Sequence, residues 1–426
     1  MVDDAEKELS RLLRTDVRTM KAQERDVYLR LARERSGDIV LVGAGGLGRK
    51  IAAGLRANGV EPLAFVDNSP ARQGTEVDGL RVLAAEAAAA EFRDDAVFIV
   101  SIWGANSPHR FAHTRDQLSA LGCAVMVFPP VCWRFAEELL PHYLQDLPHK
   151  VLEQSAQVRG ALDLWSDEAS RREYVSQVRL RLTADFDGLE HPVRHPQYFP
   201  DDLFSWGDDE WMVDGGAYDG DTIRSLLRVH GDRFAHVLAL EPDPANCRRL
   251  RETVAALDDA TGARIDCRQL ALASSPGELV LDSTGTAASA TSRATAASGV
   301  GANGAEEPDA RATRAAEGAS GLGNRLIVEA ARLDDLVGSA APTFIKLDIE
   351  GAEPDALAGA RDTIRSHGPV VAVCVYHRQD HLWRIPLMLR EVRDDYAFFL
   401  RPHNEEGWDL VCYAVPRSRL TRAPSR

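Results

Sequence analysis

Twice in this chain an apolar run breaks into clustered glycines and then into a helix-forming stretch: DIVLVGAGGLGRKIAAGLRANG from residue 38 and EWMVDGGAYDGDTIRSLLRVHG from residue 210. A strand that turns into a helix over glycines is the start of a βαβ unit, because glycine lets the backbone close up against a ligand at the helix amino terminus. Two such starts in 426 residues call for two cores. The predicted fold is α/β with two Rossmann-like domains.

After the first start, EPLAFVDN, DDAVFIVSIW and CAVMVFPP read as further strands with helices between them. This predicts a Rossmann-like nucleotide-binding domain over 38–130, behind a polar helical leader at 1–37. WRFAEELLPHYLQDL and DEASRREYVSQVRLRLTADF carry helical periodicity and few glycines, so 131–200 is predicted as a helical connector. A second α/β alternation fills 201–426. Its last two strands, YAFFLRPH and DLVCYAVP, have no helix between them and are expected to close the sheet as an antiparallel hairpin. Segment 283–325 is Ala, Gly, Ser and Thr with almost no large apolar residue. It reads as a flexible insertion, and its leading part near Ser289 and Thr291 is the stretch suited to act as a lid.

Composition narrows the function classes. The net charge of −15 argues against a nucleic-acid binder, which needs a positive face. No apolar run is long enough to cross a bilayer, and the acidic start MVDDAEKELSRLLR lacks the core of a secretion signal. The six cysteines form no C-x-x-C pair, and several sit in strand-like runs. They read as buried, reduced thiols of a cytoplasmic protein.

In the first loop Gly43, Gly45 and Gly48 form G-x-G-x-x-G between strand and helix, and Asp67 closes the next strand where a carboxylate can meet a ribose hydroxyl. These four residues are the expected second nucleotide site. The run VGAGGLGRKIAAGLRANGVEPLAFVDNSP followed by GLRVL resembles the amino-terminal domain of sugar-nucleotide-linked acyltransferases. The resemblance implies a nucleotide sugar more than redox chemistry. The plainer alternative is a domain that only packs or dimerises, which leaves a homodimer open.

In the second loop Asp214 ends the strand, and Gly215, Gly216, Ala217 and Tyr218 lead to Asp221 and Thr222 at the helix start. No Gly-Lys-Ser/Thr follows, so this is not a triphosphate loop. An acid before the glycines suits a ligand with an ammonium end, bound directly or through water. Glu241, with Asp243 behind it in LEPDP, ends the next strand, where a carboxylate can accept both ribose hydroxyls. S-adenosylmethionine carries both groups and is the expected cofactor. IKLDIEGAEPDAL sets Lys346, Asp348, Glu350 and Glu353 at the end of another strand, and VYHRQDHLWRIP adds His377, Arg378, Asp380 and His381 along the same edge.

QYFPDDLFSW, VDGGAYDGDT, LEPDP, IKLDIEGAE and VYHRQDHLWRIP, in that order across about residues 196–416, resemble the FkbM family of methyltransferases. The resemblance implies a class I methyltransferase sheet with an antiparallel last strand. It also implies O-methylation of a hydroxyl on a sugar or polyketide-type natural product, so the expected partner is a small-molecule acceptor. Methyl transfer needs the acceptor oxygen aligned and its proton removed. The expected catalytic residues are His377 as base, Asp348 as second base or orienting group, and Lys346 holding the strand-end carboxylates or an acceptor oxygen. Asp348, Glu350, Asp380 and His381 offer ligands of the kind Mg²⁺ accepts, although no tight spacing enforces a metal. Two other readings stay open. One is an N- or O-methyltransferase acting on a peptide or amine. The other is a non-catalytic nucleotide-binding protein.

Overall fold

The computed structural model describes residues 4–33, 37–105, 109–283, 291–293 and 324–421. The expected insertion or lid at 283–325 therefore lies outside the described residues, except for its two edges and 291–293.

In the amino-terminal half the strands are β1 (Asp38–Val42), β2 (Ala64–Val66), β3 (Glu76–Val77), β4 (Leu80–Leu83), β5 (Ala96–Val100) and β6 (Ala124–Val127). They form one six-stranded sheet in the order β3-β4-β2-β1-β5-β6. All neighbours are parallel except the β3–β4 pair at the edge. The burial pattern of β5 is continuous, as expected of a parallel strand covered on both faces.

The carboxy-terminal sheet begins with β7 (Trp211–Gly215), β8 (His236–Leu240) and β9 (Ile265–Arg268). Four strands of a smaller sheet follow: β10 (Ala271–Leu272), β11 (Gly277–Ser283), β12 (Thr291–Arg293) and β13 (Asn324–Ala331). Then come β14 (Phe344–Leu347), β15 (Val370–Cys374), β16 (Tyr396–Pro402) and β17 (Leu410–Pro416). The main sheet has seven strands in the order β16-β17-β15-β14-β7-β8-β9. β17 runs antiparallel to both of its neighbours, β15 and β16, and the other pairs are parallel. This is the expected class I methyltransferase sheet. The final hairpin inserts its last strand between β15 and β16 rather than adding it at the edge. GELVLD does not extend this sheet: as β11 it pairs with β13 and β12 in the small one.

Helices fill the chain between 129 and 183, in the stretch where a connector over 131–200 is expected. The leader helices Asp4–Leu12 and Val17–Arg33 pack on it rather than standing free. Arg179 donates to Glu8, His149 meets Glu24 and Lys21 pairs with Glu153. One apolar core runs from the leader through the connector into the carboxy-terminal sheet. A smaller core fills the other face of the amino-terminal sheet. Among the described residues no helix is long and apolar enough to cross a membrane.

Candidate active site

In each sheet the strand order reverses between the glycine-bearing strand and the strand beside it, β1 against β5 and β7 against β14. Ligands of open α/β sheets bind outside the strand ends at such a point. At the second one a cavity of about 440 Å³ opens, lined by Gly216, Tyr218, Glu241, Lys346, Asp348 and Glu350 among others. That volume suits a nucleoside-sized cofactor.

Gly216 is where the backbones come closest. Its φ is +78°, and a Cβ there would lie 1.9 Å from the carbonyl oxygen of Asp348, so only glycine lets the loop close onto β14. Tyr218 also takes a left-handed conformation, and its N–H donates to Glu241 Oε2 at 3.0 Å. The N–H of Asp243 donates to Glu241 Oε1 at 2.9 Å. The Glu241 carboxyl is thereby fixed at the cavity wall. Burial pushes its pKa up to about 7, against the hydrogen bonds that favour the charged form.

Several expected donor residues have local structural jobs. Asp243 caps the helix Pro244–Ala255, accepting from the N–H groups of Ala245 and Asn246. Asp221 accepts from the N–H of Thr222 at 2.7 Å and lines the cavity, while Thr222 and Ala217 are buried. Gly215 sits against Leu347. Asp214 is fully buried, and its carboxylate lies 3.0 Å from Lys346 Nζ. The charge expected to hold a ligand ammonium is thus neutralised by the protein's own lysine. Lys346 also donates to the carbonyl of Gly216 at 2.6 Å. Burial opposes its charge, but Asp214, Asp348 and Asp221 outweigh that and raise its pKa.

At the other end of the cavity Asp348 receives the Tyr198 hydroxyl at 2.8 Å on one oxygen and lies 3.3 Å from His377 Nε2 on the other. Tyr198, a buried residue with φ +68°, was not singled out from sequence. Its only sequence signal is its place in QYFPDD. His377 is buried, with Nδ1 2.7 Å from Glu353 Oε1 and Nε2 3.8 Å from Glu350 Oε2. Burial disfavours the imidazolium, but Glu353, Glu350 and Asp348 prevail and raise its pKa to about 10. Carboxylates beside both ring nitrogens favour the protonated imidazole, which argues against the expected role of His377 as base. Glu350, by contrast, lines the cavity at φ +55°, and burial pushes its carboxyl up to about 7.

The four suggested Mg²⁺ ligands do not converge. His381 is buried with Nδ1 3.2 Å from Glu353, and Asp380 pairs with Arg384 at 3.4 Å. Among the described residues, the group within metal-binding distance of one another is instead the surface trio His195, Asp201 and Asp202.

At the first switch point Gly43 has φ +107°, and a Cβ on Gly48 would lie 1.9 Å from the Gly43 carbonyl oxygen. A Cβ on Gly45 would meet nothing within 4 Å. Asp67 does reach this loop, but its oxygens already accept from the N–H groups of Ala44 and Ser69 and pair with Arg72.

Residues 214–400 match the Methyltransferase FkbM domain, and residues 38–110 match the PglD N-terminal domain. Comparison with curated proteins gives no match. Among solved structures the chain is similar to a methyltransferase FkbM from Methylobacillus flagellatus KT, with a TM-score of 0.71 and 22% identity. The similarity covers 91% of this chain and 93% of that one, and at that identity it is a likeness of fold. With a cavity at the switch point of a class I sheet, this chain carries an FkbM methyltransferase domain preceded by a PglD N-terminal domain.

Proposed function

We propose that the chain is an S-adenosylmethionine-dependent O-methyltransferase acting on a hydroxyl of a small sugar or polyketide-type molecule. The observation that carries this reading is the cavity itself, with Glu241 at one end and the Asp348–Glu350 pair at the other. Glu241 suits the ribose hydroxyls, and the Gly216 turn lines the same cavity beside it. S-adenosylmethionine, when bound, supplies an electrophilic methyl group. The protein aligns the acceptor oxygen with that methyl and receives the hydroxyl proton. Glu350 is the proposed base, because a carboxyl near pKa 7 is matched to proton transfer at neutral pH. Asp348, anchored by Tyr198 and His377, orients the acceptor, and the His377 imidazolium balances the surrounding carboxylates. Lys346 holds the Gly216 turn.

The crevice at Gly43, Gly45, Gly48 and Asp67 is proposed to hold a nucleotide, preferably a nucleotide sugar, on the acceptor side. The unfilled space before Gly45, at the start of the helix Gly46–Ala57, supports this reading.

The test uses methyl-labelled donor with sugars, nucleotide sugars, polyketide alcohols, peptides and amines, for wild type and Glu350→Gln. Label on a hydroxyl, lowered about 10²–10⁴-fold in the variant, supports the reading. Label on nitrogen alone would replace it with the amine reading. Donor binding without transfer would leave a binding protein.

A further inference from the structure

The two crevices face a common junction. Trp103 follows β5 at the first crevice and packs on Trp408, ring centroids 4.5 Å apart. Tyr143 of the connector also packs on Trp408 at 4.7 Å, meets Trp103 at 6.1 Å and reaches His377 at 6.4 Å. Tyr143 has φ +50°, an uncommon conformation for a bulky residue and one that concentrates at functional sites.

Lys50 stands on this junction with no counter-charge among the described residues. It lies one turn into the helix Gly46–Ala57, on the same side as Gly54 four residues on, and Gly54 packs against Leu139 of the connector. That side brings Lys50 Nζ to 3.5 Å from His142 Nδ1. Among the described residues no carboxylate pairs with Lys50, whereas its neighbour Arg49 pairs with Asp78. The groups around Lys50 are neutral. Burial and the Lys50 charge push His142 down to about 3, and burial pushes the Cys132 thiol up to about 12. Burial also lowers the Lys50 pKa. A half-buried ammonium without an anion is unfavourable, and an anionic ligand would relieve it. The His142 ring in turn packs on Trp103 at 5.8 Å and on Tyr143 at 5.1 Å.

We propose that Lys50 and His142 form an anion subsite that takes a phosphate or diphosphate group of the methyl acceptor, beside the packed rings of Trp103 and Tyr143. Phosphate suits the site better than a bare hydroxyl because it brings a counter-charge and several acceptor oxygens to the Lys50 ammonium. The inference extends the reading of the first crevice as a nucleotide site, but it can fail separately from it.

The experiment is calorimetry on the full-length protein with inorganic pyrophosphate, uridine diphosphate and S-adenosylmethionine, for wild type, Lys50→Gln and Lys50→Arg. The expected result is saturable binding of uridine diphosphate, with or without binding of pyrophosphate alone. Lys50→Gln should weaken it about 10-fold or more, Lys50→Arg should largely restore it, and affinity for S-adenosylmethionine should be the same in all three. That last value reports that each variant is folded. Uridine diphosphate binding unchanged in Lys50→Gln would overturn the Lys50 subsite and leave the nucleotide reading standing. Pyrophosphate binding that depends on Lys50, without any gain from the nucleoside, would support the subsite and remove the nucleotide reading. Binding of neither ligand to wild type would overturn both.

Discussion

Nδ1 of His377 lies 2.7 Å from Oε1 of Glu353, and neither side chain reaches solvent. This buried pair lies beside Asp348 and Glu350, 3.3 and 3.8 Å from the other ring nitrogen. Removing one partner of such a pair costs roughly 3–5 kcal/mol, so Glu353→Gln should lower unfolding stability by that order. The pH dependence has a definite sign. The His377 pKa is raised from 6.5 to about 10 on folding, so its contribution is full below 6.5 and fades as pH rises towards 10. The Glu353 pKa is depressed below 4.5 by His377 and His381 despite its burial, so its contribution is present above 4.5 and lost on acidification. Denaturant titrations of wild type and variant should therefore differ most between pH 4.5 and 6.5. A difference that grew towards pH 10 would contradict the ion-pair assignment.

Glu241→Ala should weaken S-adenosylmethionine binding by roughly 1–3 kcal/mol, the cost of leaving partners of a buried acceptor unpaired. Because the Glu241 pKa is raised to about 7, donor affinity in the wild type should increase as pH rises through 7 and the carboxylate forms. Calorimetry across that range checks both statements, and the pH step should vanish in the variant.

Gly216→Ala tests the close approach of the loop to β14. The positive φ alone costs roughly 1–3 kcal/mol for a non-glycine residue, and the added Cβ collides with the Asp348 carbonyl. A lower melting temperature together with loss of donor binding is expected. A folded variant with normal affinity would mean the loop has room that the geometry denies.

The first loop offers a paired test. Gly45 has open space on its Cα and a φ of −85°, so Gly45→Val should fold normally while blocking a nucleotide from the helix terminus. Gly48→Ala would drive a Cβ into the Gly43 carbonyl and should destabilise the domain. Thermal melts combined with uridine diphosphate titrations separate the two effects. Retained binding in a folded Gly45→Val protein would move the ligand away from this loop.

The sequence by itself determined the two glycine turns, the strands leading into them and the helices leaving them, because strand burial, glycine conformation and helix periodicity are local properties. It also marked Glu241, Lys346 and Asp348 as strand-end residues of one crevice, since the βαβ rule alone sends them there. What it did not determine was how the charges pair. Asp214 and Lys346 are far apart in the chain but adjacent on β7 and β14, in register as Lys346↔Asp214, so one neutralises the other. The imidazolium form of His377 is favoured because the helix Glu353–Gly359 and the turn after β14 bring Glu353 and Glu350 against it. The junction of Trp103, Tyr143 and Trp408 joins three segments remote in sequence. No local pattern reports such contacts, because ion pairing and ring packing depend on distances that only the folded chain fixes.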